Sequence, residues 1–202
     1  LATWTLSLLK RRGDSSLLPG RAPPDERMTL TPNSRMAAVA LSVVALDQLT
    51  KRTVLEYLGY AGQKIVIDGF FKFVHWGNTG AAWSLFHGNN ELLAIISLVA
   101  LLVLFLSRHY FDSGALQGQV ALGLIFGGIV GNLIDRLSVR HVIDFIYFYL
   151  QQRDGGEIGF PAFNVADTAI CTGVGLLFLL SWQRDHAKAG GSESHEPSAK
   201  KS

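Results

Sequence analysis

Residues 115–134, ALQGQVALGLIFGGIVGNLI, run for twenty positions without a charged side chain. A helix that crosses the hydrocarbon core of a bilayer needs about 20 mostly apolar residues, so this segment predicts a membrane-spanning helix. The composition agrees, because 49% of the 202 residues are hydrophobic and only 17% are charged. We therefore expect a membrane protein in which the remaining apolar runs also form helices.

The other apolar runs lie on both sides of this segment. Residues 92–107 carry no charge, and residues 161–183 carry only Asp167. A further run starts at Met36 and continues through the polar stretch DQLTK at 47–51. A soluble bundle of buried helices is the alternative, but globular helices average about 11–12 residues, whereas these runs match the thickness of a bilayer. The predicted fold class is an all-α membrane protein with four transmembrane helices, at about 36–57, 91–108, 116–137 and 162–183.

The two ends of the chain differ from its apolar middle. Residues 1–35 predict a disordered N-terminal extension, and no basic region precedes the short apolar start, as a signal peptide would require. We expect the native start at Met28 or Met36. Residues 184–202 are polar and rich in Gly and Ser, which predicts a disordered tail. Residues 36–183 then form a single membrane domain.

Two connections fall on the same side of the predicted membrane. The first, residues 58–90, is rich in β-branched and aromatic residues, with Gly69 and Gly77 as breakers, and predicts short strands. The second, residues 138–161, contains the aromatic run 142–150, which is too short to cross a bilayer. We predict that this run forms an interfacial helical segment.

Small and polar residues interrupt the predicted helices in a regular pattern. Gly123, Gly127 and Gly131 recur every four residues, which predicts close packing against another helix. Asp47 and Lys51 are also four apart, so they share one helix face. This pair is interpreted either as support for a buried polar site or as mutual neutralisation that lets the helix carry charge at depth.

Polar residues also gather at the end of the third predicted helix. Asn132 needs hydrogen-bond partners in an apolar setting. Asp135 and Arg136 follow it, and they could form an ordinary pair at the membrane interface.

Two carboxylates near the same membrane boundary carry the functional hypothesis. Asp144 lies in the apolar run HVIDFIYFY, and Asp167 lies near the start of the fourth helix, three residues after Asn164. Asp167 alone could complement the helix dipole, but that explanation does not cover Asp144. Two carboxyl groups that face each other across a small gap cannot both ionise easily, so one can act as base and the other as acid. Such a pair activates water for peptide hydrolysis without a metal.

Other chemistries have weaker sequence support. No HExxH pattern is present, and the single Cys171 excludes an intramolecular disulfide and a multi-cysteine metal site. Ser84 and His87, as a serine-protease pair, lie in a connection at a spacing typical of no known motif. The net charge of +2 and the lack of a basic cluster indicate no nucleic-acid partner.

Five segments together resemble one enzyme family. They are LDQLTK (46–51), NTGAAWS (78–84), GGIVGNLIDR (127–136), VIDFI (142–146) and FNVADTAI (163–170). In this order, between four predicted spans, the chain resembles lipoprotein signal peptidase (signal peptidase II), an intramembrane aspartic protease. The resemblance implies cleavage of the signal peptide from diacylglyceryl-modified prolipoproteins, just before the lipidated cysteine. It also implies cytoplasmic termini and a site on the periplasmic side of a bacterial inner membrane.

The resemblance also assigns roles to individual residues. It implies that Asp144 and Asp167 are catalytic and that the 58–90 connection is a small extramembrane β-sheet that cradles the substrate. It implies no metal and no cofactor, and its implied partners are lipidated prolipoproteins and the lipid bilayer. Apart from the resemblance, we expect a monomer. The implied substrate-binding residues are Asn78, Gly80, Asn132, Arg136 and Asn164, and the implied supporting residues are Asp47, Lys51 and Asp135.

A non-enzymatic function is the alternative from another class. Intramembrane carboxylates also mark proton relays, so a small proton-coupled transporter or a membrane scaffold is the second hypothesis. A relay requires ionisable groups along the depth of the membrane. Here they cluster at one face, apart from Asp47, which favours the peptidase.

Overall fold

The computed structural model describes residues 31–80, 88–111, 115–153 and 155–192. The rest of the predicted extension and tail, together with Ser84 and His87, lies outside the described residues. Within the described ranges the chain forms four α-helices and four β-strands. In chain order they are α1 (Pro32–Leu58), β1 (Gln63–Ile67), β2 (Phe71–Asn78), α2 (Asn90–Phe111), α3 (Leu116–Ser138), β3 (Val142–Gln151), β4 (Glu157–Gly159) and α4 (Val165–Ser192).

The first and last helices extend beyond the predicted domain boundaries. Residues 32–35, expected in the disordered extension, are the first residues of α1, and residues 184–192, expected in the tail, belong to α4. The start of α1 has a local cause, because the hydroxyl of Thr31 accepts a hydrogen bond from the backbone N–H of Ser34 and Pro32 occupies the first helical position. Both features are typical of helix N-termini.

Three helices of the described chain are long and apolar enough to cross a membrane, namely α2, α3 and the Val165–His186 part of α4. Three of the four predicted spans therefore have support from length and composition. α1 is not among them, because the polar stretch 47–51 interrupts its apolar surface. Within that stretch Asp47 and Lys51 are buried, and Lys51 contacts Asp135 of α3, whereas Leu49 is exposed.

The glycine pattern of α3 packs against α1, as predicted. A methyl group added at Gly127 would lie 2.6 Å from the backbone oxygen of Ala40, and one added at Gly131 would lie 2.6 Å from the carboxylate of Asp47. Gly123 is equally close to α1. Since any side chain at these positions would force the helices apart, the glycines allow the two backbones to approach closely.

A second glycine contact joins α3 to α4. A methyl group at Gly128 would lie 2.4 Å from the backbone oxygen of Ala166, and one at Gly173 of α4 would lie 2.6 Å from the backbone oxygen of Ala121. α3 is thus packed closely between α1 and α4. This arrangement brings the start of α4 beside the polar end of α3.

The aromatic run after α3 corrects one prediction. Residues 142–150 do not form an interfacial helical segment; they lie in strand β3 of a four-stranded antiparallel sheet with the order β1-β2-β3-β4. Tyr147 and Tyr149 are buried, whereas Phe148 and Leu150 between and after them are exposed, which is the alternation of a strand. β-branched and aromatic residues favour this state when neighbouring strands are available to pair. The fold is therefore α-helical with a small antiparallel sheet.

A buried lysine side chain connects strands β2, β3 and β4 of the sheet. The ammonium group of Lys72 on β2 lies 4.6 Å from the ring centre of Tyr149 on β3. It also contacts both carboxylate oxygens of Glu157 on β4, at 3.0 and 2.8 Å. One side chain therefore links three strands and holds β3 in a fixed register.

Candidate active site

Strand β3 carries Asp144 into the interior of the protein. Its backbone pairs with Trp76 of β2, and only 3% of the residue is exposed. One carboxylate oxygen accepts a hydrogen bond from the Asn78 amide at 3.0 Å, and the other accepts one from the Asn164 amide at 2.8 Å. Both oxygens are thus held by neutral donors from different elements.

Asp167 lies in the first turn of α4, and its geometry is that of a capping box. The backbone N–H of Asp167 donates to the side-chain oxygen of Asn164 at 2.9 Å, and the Asp167 carboxylate accepts from the backbone N–H of Asn164 at 3.2 Å. Such reciprocal bonds satisfy the free N–H groups of a helix start. The other Asp167 oxygen accepts from the Asn132 amide at 2.8 Å. Asp167 therefore does complement the helix terminus, as the alternative interpretation expected, while its second oxygen faces α3.

Asn164 connects the two carboxyl groups. Its amide nitrogen donates to Asp144 at 2.8 Å, while its backbone and its side-chain oxygen bind Asp167. The residue is fully buried. The two aspartates predicted to be catalytic therefore lie on opposite sides of one asparagine, close enough to share its hydrogen-bonding groups.

The electrostatic environment favours a proton on Asp144. Burial is the main cause and the negative charge of Asp167 the second, and together they raise the pKa of Asp144 from 3.8 to about 7. The hydrogen bonds from Asn78 and Asn164 act in the opposite direction, because they stabilise the charged form. A carboxyl group with a pKa near neutrality can either donate or accept a proton at physiological pH.

Asn132 links this site to the helix α1. Its side-chain oxygen accepts hydrogen bonds from Lys51 at 3.1 Å and from the Asn164 amide at 3.2 Å. With its oxygen occupied by two donors, its amide nitrogen points to Asp167. The orientation of the asparagine is therefore fixed by its partners.

Arg136 and Asn78 both bind the backbone of Gly80. The guanidinium of Arg136 donates to the Gly80 carbonyl at 3.1 Å, and the Gly80 N–H donates to the side-chain oxygen of Asn78 at 2.9 Å. The buried Nε of Arg136 has no hydrogen-bond partner among the described residues. The structure thus brings all five residues predicted to bind substrate to the neighbourhood of the two aspartates.

A buried ionic group, formed by Lys51, Asp47 and Asp135, lies next to the site. The ammonium of Lys51 is 2.8 Å from Asp47 and 2.7 Å from Asp135. The predicted pairing of Asp47 with Lys51 is confirmed. The side chain of Asp135 binds Lys51, whereas that of Arg136 binds Gly80, so these neighbours do not form the interfacial pair considered as an alternative.

Two residues of this region were not predicted from the sequence. Gln48 donates to Asp135 at 2.9 Å and to Asp47 at 3.3 Å. Asn90, at the start of α2, donates to the backbone oxygen of Arg136 at 2.9 Å. The available signal was an amide side chain within or next to a long apolar segment, because such a group requires a partner inside the protein.

The described parts of the chain contain no group of three or more His, Cys, Asp or Glu side chains arranged to hold a metal ion. The absence of a metal from the reaction stays a prediction.

Comparisons with known proteins agree with the geometry. A family model described as signal peptidase (SPase) II matches residues 39–183. The chain is 38% identical to a lipoprotein signal peptidase of Bacillus pumilus over 143 residues, which are 70% of this chain and 88% of the relative. It is 39% identical to a lipoprotein signal peptidase of Geobacillus kaustophilus, with the same coverage. A bacterial membrane enzyme solved by the in meso method at 2.3 Å is similar with a TM-score of 0.62 and 28% identity, covering 82% of this chain and 94% of that one.

Proposed function

Because the chain belongs to the signal peptidase II family, we propose that it removes the signal peptide from diacylglyceryl-modified prolipoproteins by cleaving before the lipidated cysteine. The observation that carries the proposal is the pair of carboxyl groups of the buried Asp144 and the partly buried Asp167, joined by Asn164. The transporter or scaffold considered as an alternative finds no support among the relatives, which are peptidases.

The proposed reaction uses one proton shared by the two aspartates. The ionised carboxylate takes a proton from water, and the oxygen of that water attacks the carbonyl carbon that precedes the lipidated cysteine. The protonated partner donates its proton to the carbonyl oxygen. When the tetrahedral intermediate collapses, the C–N bond breaks and the leaving nitrogen takes up a proton from the carboxyl that accepted it from water. The other carboxylate takes back a proton from a hydroxyl of the intermediate as the new carboxyl group of the signal peptide forms, so the pair returns to its single-proton state.

The polar groups around the aspartates would hold the substrate backbone. Arg136 has a buried Nε without a partner among the described residues, next to the Gly80 carbonyl that its other nitrogen binds. Asn78 binds both Gly80 and Asp144, so it joins this backbone segment to the reacting group. An extended substrate that runs past Gly80 would find donors for its carbonyl groups where lipid offers none.

The membrane arrangement we propose has four spans. α1 has 27 residues, and at 1.5 Å per residue it is about 40 Å long, sufficient for a hydrocarbon core of about 30 Å. Its charged pair Asp47–Lys51 is satisfied inside the protein, so it does not oppose insertion. With four spans both termini lie on one side, which we assign to the cytoplasm, and the sheet and the aspartates lie on the periplasmic side of a bacterial inner membrane. We propose that the protein acts as a monomer.

The proposal is tested with purified protein in detergent and a diacylated prolipoprotein. In excess EDTA we expect complete cleavage, with a product mass that places the new N-terminus at the lipidated cysteine. The same precursor without its lipid is the control and should be cleaved poorly. Loss of activity in EDTA that returns with a divalent metal would contradict the metal-free mechanism, and cleavage at another bond would contradict the proposed specificity.

Activity should also depend on pH in a defined direction. Because burial and the charge of Asp167 raise the pKa of Asp144 to about 7, a proton is lost from the pair of the free protein as the pH rises through 7, and kcat/KM should decrease. The same shift lowers the free energy of unfolding as the pH rises from about 4 to about 7, since over this range the folded protein holds a proton that the unfolded chain has released. The measurement is kcat/KM between pH 5 and 9.

The variant Asn78→Ala tests whether the pH profile moves in the direction that the pKa of Asp144 requires. Asn78 lowers the pKa of Asp144 by hydrogen bonding to its charged form, so removing the amide should move the alkaline decrease in kcat/KM to higher pH. A profile that moves to lower pH, or one that stays flat to pH 9 in the wild type, would contradict the assignment.

A further inference from the structure

The backbone just before each aspartate is held by a buried carboxylate. The N–H of Ile143, which precedes Asp144, donates to Asp135 at 3.2 Å. The N–H of Ala166, which precedes Asp167, donates to Asp47 at 2.9 Å. The same contact thus occurs twice, once on strand β3 and once on helix α4. Asp135 belongs to α3 and Asp47 to α1, so two helices each hold one reacting segment.

Two donors of α1 join these carboxylates to each other. Lys51 contacts Asp47 and Asp135 at 2.8 and 2.7 Å. The Gln48 amide donates to Asp135 at 2.9 Å and to Asp47 at 3.3 Å, and it also reaches the backbone oxygen of Gly131 at 3.3 Å. Lys51 supplies the positive charge, whereas Gln48 supplies directed hydrogen bonds without charge.

We propose that Gln48 is a positioning residue, whose amide bridges Asp47 and Asp135 and thereby fixes the separation of Asp144 and Asp167. The inference rests on the proposed function, because it concerns the geometry of the pair that performs it. Gln48 touches neither Asp144 nor Asp167. It acts on each of them through a supporting carboxylate and the backbone N–H that this carboxylate binds. The contact with the backbone oxygen of Gly131 ties the amide to the α3 backbone as well.

The separation of the two carboxyl groups is the quantity that such a bridge controls. Proton sharing and water activation both require the groups to stay within one water of each other. A displacement of about 1 Å in a reacting group can lower a rate by about 10²-fold. Backbone hydrogen bonds between Ile146 and Phe163 join β3 to the segment that leads into α4. The Gln48 bridge adds a second link, which runs through α1 and α3.

The test is the variant Gln48→Met, which has similar volume and no amide donor, with Thr53→Ala on the same helix as matched control. The Thr53 hydroxyl is exposed and donates only to its own helix, at Leu49. We expect Gln48→Met to lower kcat by about 10- to 100-fold, with KM within about twofold of the wild type, since the groups proposed to bind substrate are intact. Thr53→Ala should retain wild-type kcat.

Partial restoration distinguishes positioning from general support. Gln48→Asn keeps the amide on a side chain one carbon shorter, so it should give a kcat between those of the wild type and Gln48→Met. The second test compares the loss of kcat caused by Gln48→Met in the wild type with the loss that it causes in an Asp135→Asn background. If Gln48 acts through Asp135, adding Gln48→Met to Asp135→Asn should cost far less than it costs alone.

The outcomes separate this inference from the proposed function. If Asp144→Asn is inactive but Gln48→Met has wild-type kcat, the positioning role is wrong and the proposed function stands. If Asp144→Asn is active, the proposed function fails first. If the loss in Gln48→Met disappears at an assay temperature well below its unfolding transition, the residue only stabilises the fold. Should Gln48→Met not fold, Gln48→Ala takes its place as the variant without an amide, and a wild-type kcat in that variant overturns the proposal equally.

Discussion

Replacement of either Asp144 or Asp167 by Asn is expected to lower kcat by about 10³-fold or more, because the one carboxyl group that remains cannot act as proton acceptor and proton donor in the same step. The fold should survive both changes. Asn keeps one oxygen to accept the hydrogen bond that each carboxylate receives from Asn164. It also removes a buried charge, which offsets part of what the lost hydrogen bond contributed.

The matched control is Asp185→Asn, an exposed aspartate of α4 that lies 18 residues after Asp167, about 27 Å along the helix at 1.5 Å per residue. It makes the same chemical change far from Asp144 and Asp167 and should leave kcat unchanged. The measurement is single-turnover cleavage of a diacylated prolipoprotein, with the thermal unfolding of each variant recorded in the same detergent. If a folded Asp144→Asn or Asp167→Asn protein cleaves at a rate near that of Asp185→Asn, that aspartate is not catalytic.

The second large effect is expected on stability. Lys51→Met removes the cation between Asp47 and Asp135, whose side chains are almost completely buried. Removing one partner of a buried ionic group leaves uncompensated charge and costs about 3–5 kcal/mol. We expect a lowered unfolding temperature and, at temperatures where the variant is folded, a reduced rate of cleavage.

Lys64→Met is the control for this change, because Lys64 is an exposed residue of strand β1. It should unfold at nearly the wild-type temperature. A combined Lys51→Met and Asp135→Asn variant should recover part of the lost stability, since it removes one of the two unpaired charges. An unfolding temperature for Lys51→Met equal to that of Lys64→Met would show that the buried group does not depend on its cation.

The helices and the pairing of the aspartates could be predicted because their signals are local. The apolar runs predict the helices, and the alternating direction of the predicted spans leads us to expect Asp144 and Asp167 at the same membrane boundary. The structure brings them to a common partner, Asn164. The glycine spacing likewise predicts that α3 packs closely against another helix, which is α1, since small residues at four-residue intervals form one face of a helix.

The strand β3 could not be predicted as easily, because an apolar run of nine residues fits both a strand and an interfacial helix. What decides the structure is pairing with β2, a partner some 70 residues away along the chain, with Asp144 opposite Trp76. The same limit explains why Gln48 was missed. Its importance comes from Asp135, which is 87 residues away in sequence. Contacts at such separations leave no periodic signal.

The single asparagine between the two acids also has an evolutionary consequence. Asn164 binds Asp144 through its amide nitrogen, and Asp167 through its oxygen and its backbone. A substitution that frees one acid therefore frees the other, and the two cannot be retuned separately at this position. Lineages that must work in more acidic or more alkaline surroundings would have to adjust the pair together, through neighbours such as Asn78 that touch only one member. We therefore expect substitutions that adapt this enzyme to a different pH to occur at neighbours such as Asn78 before they occur at Asn164.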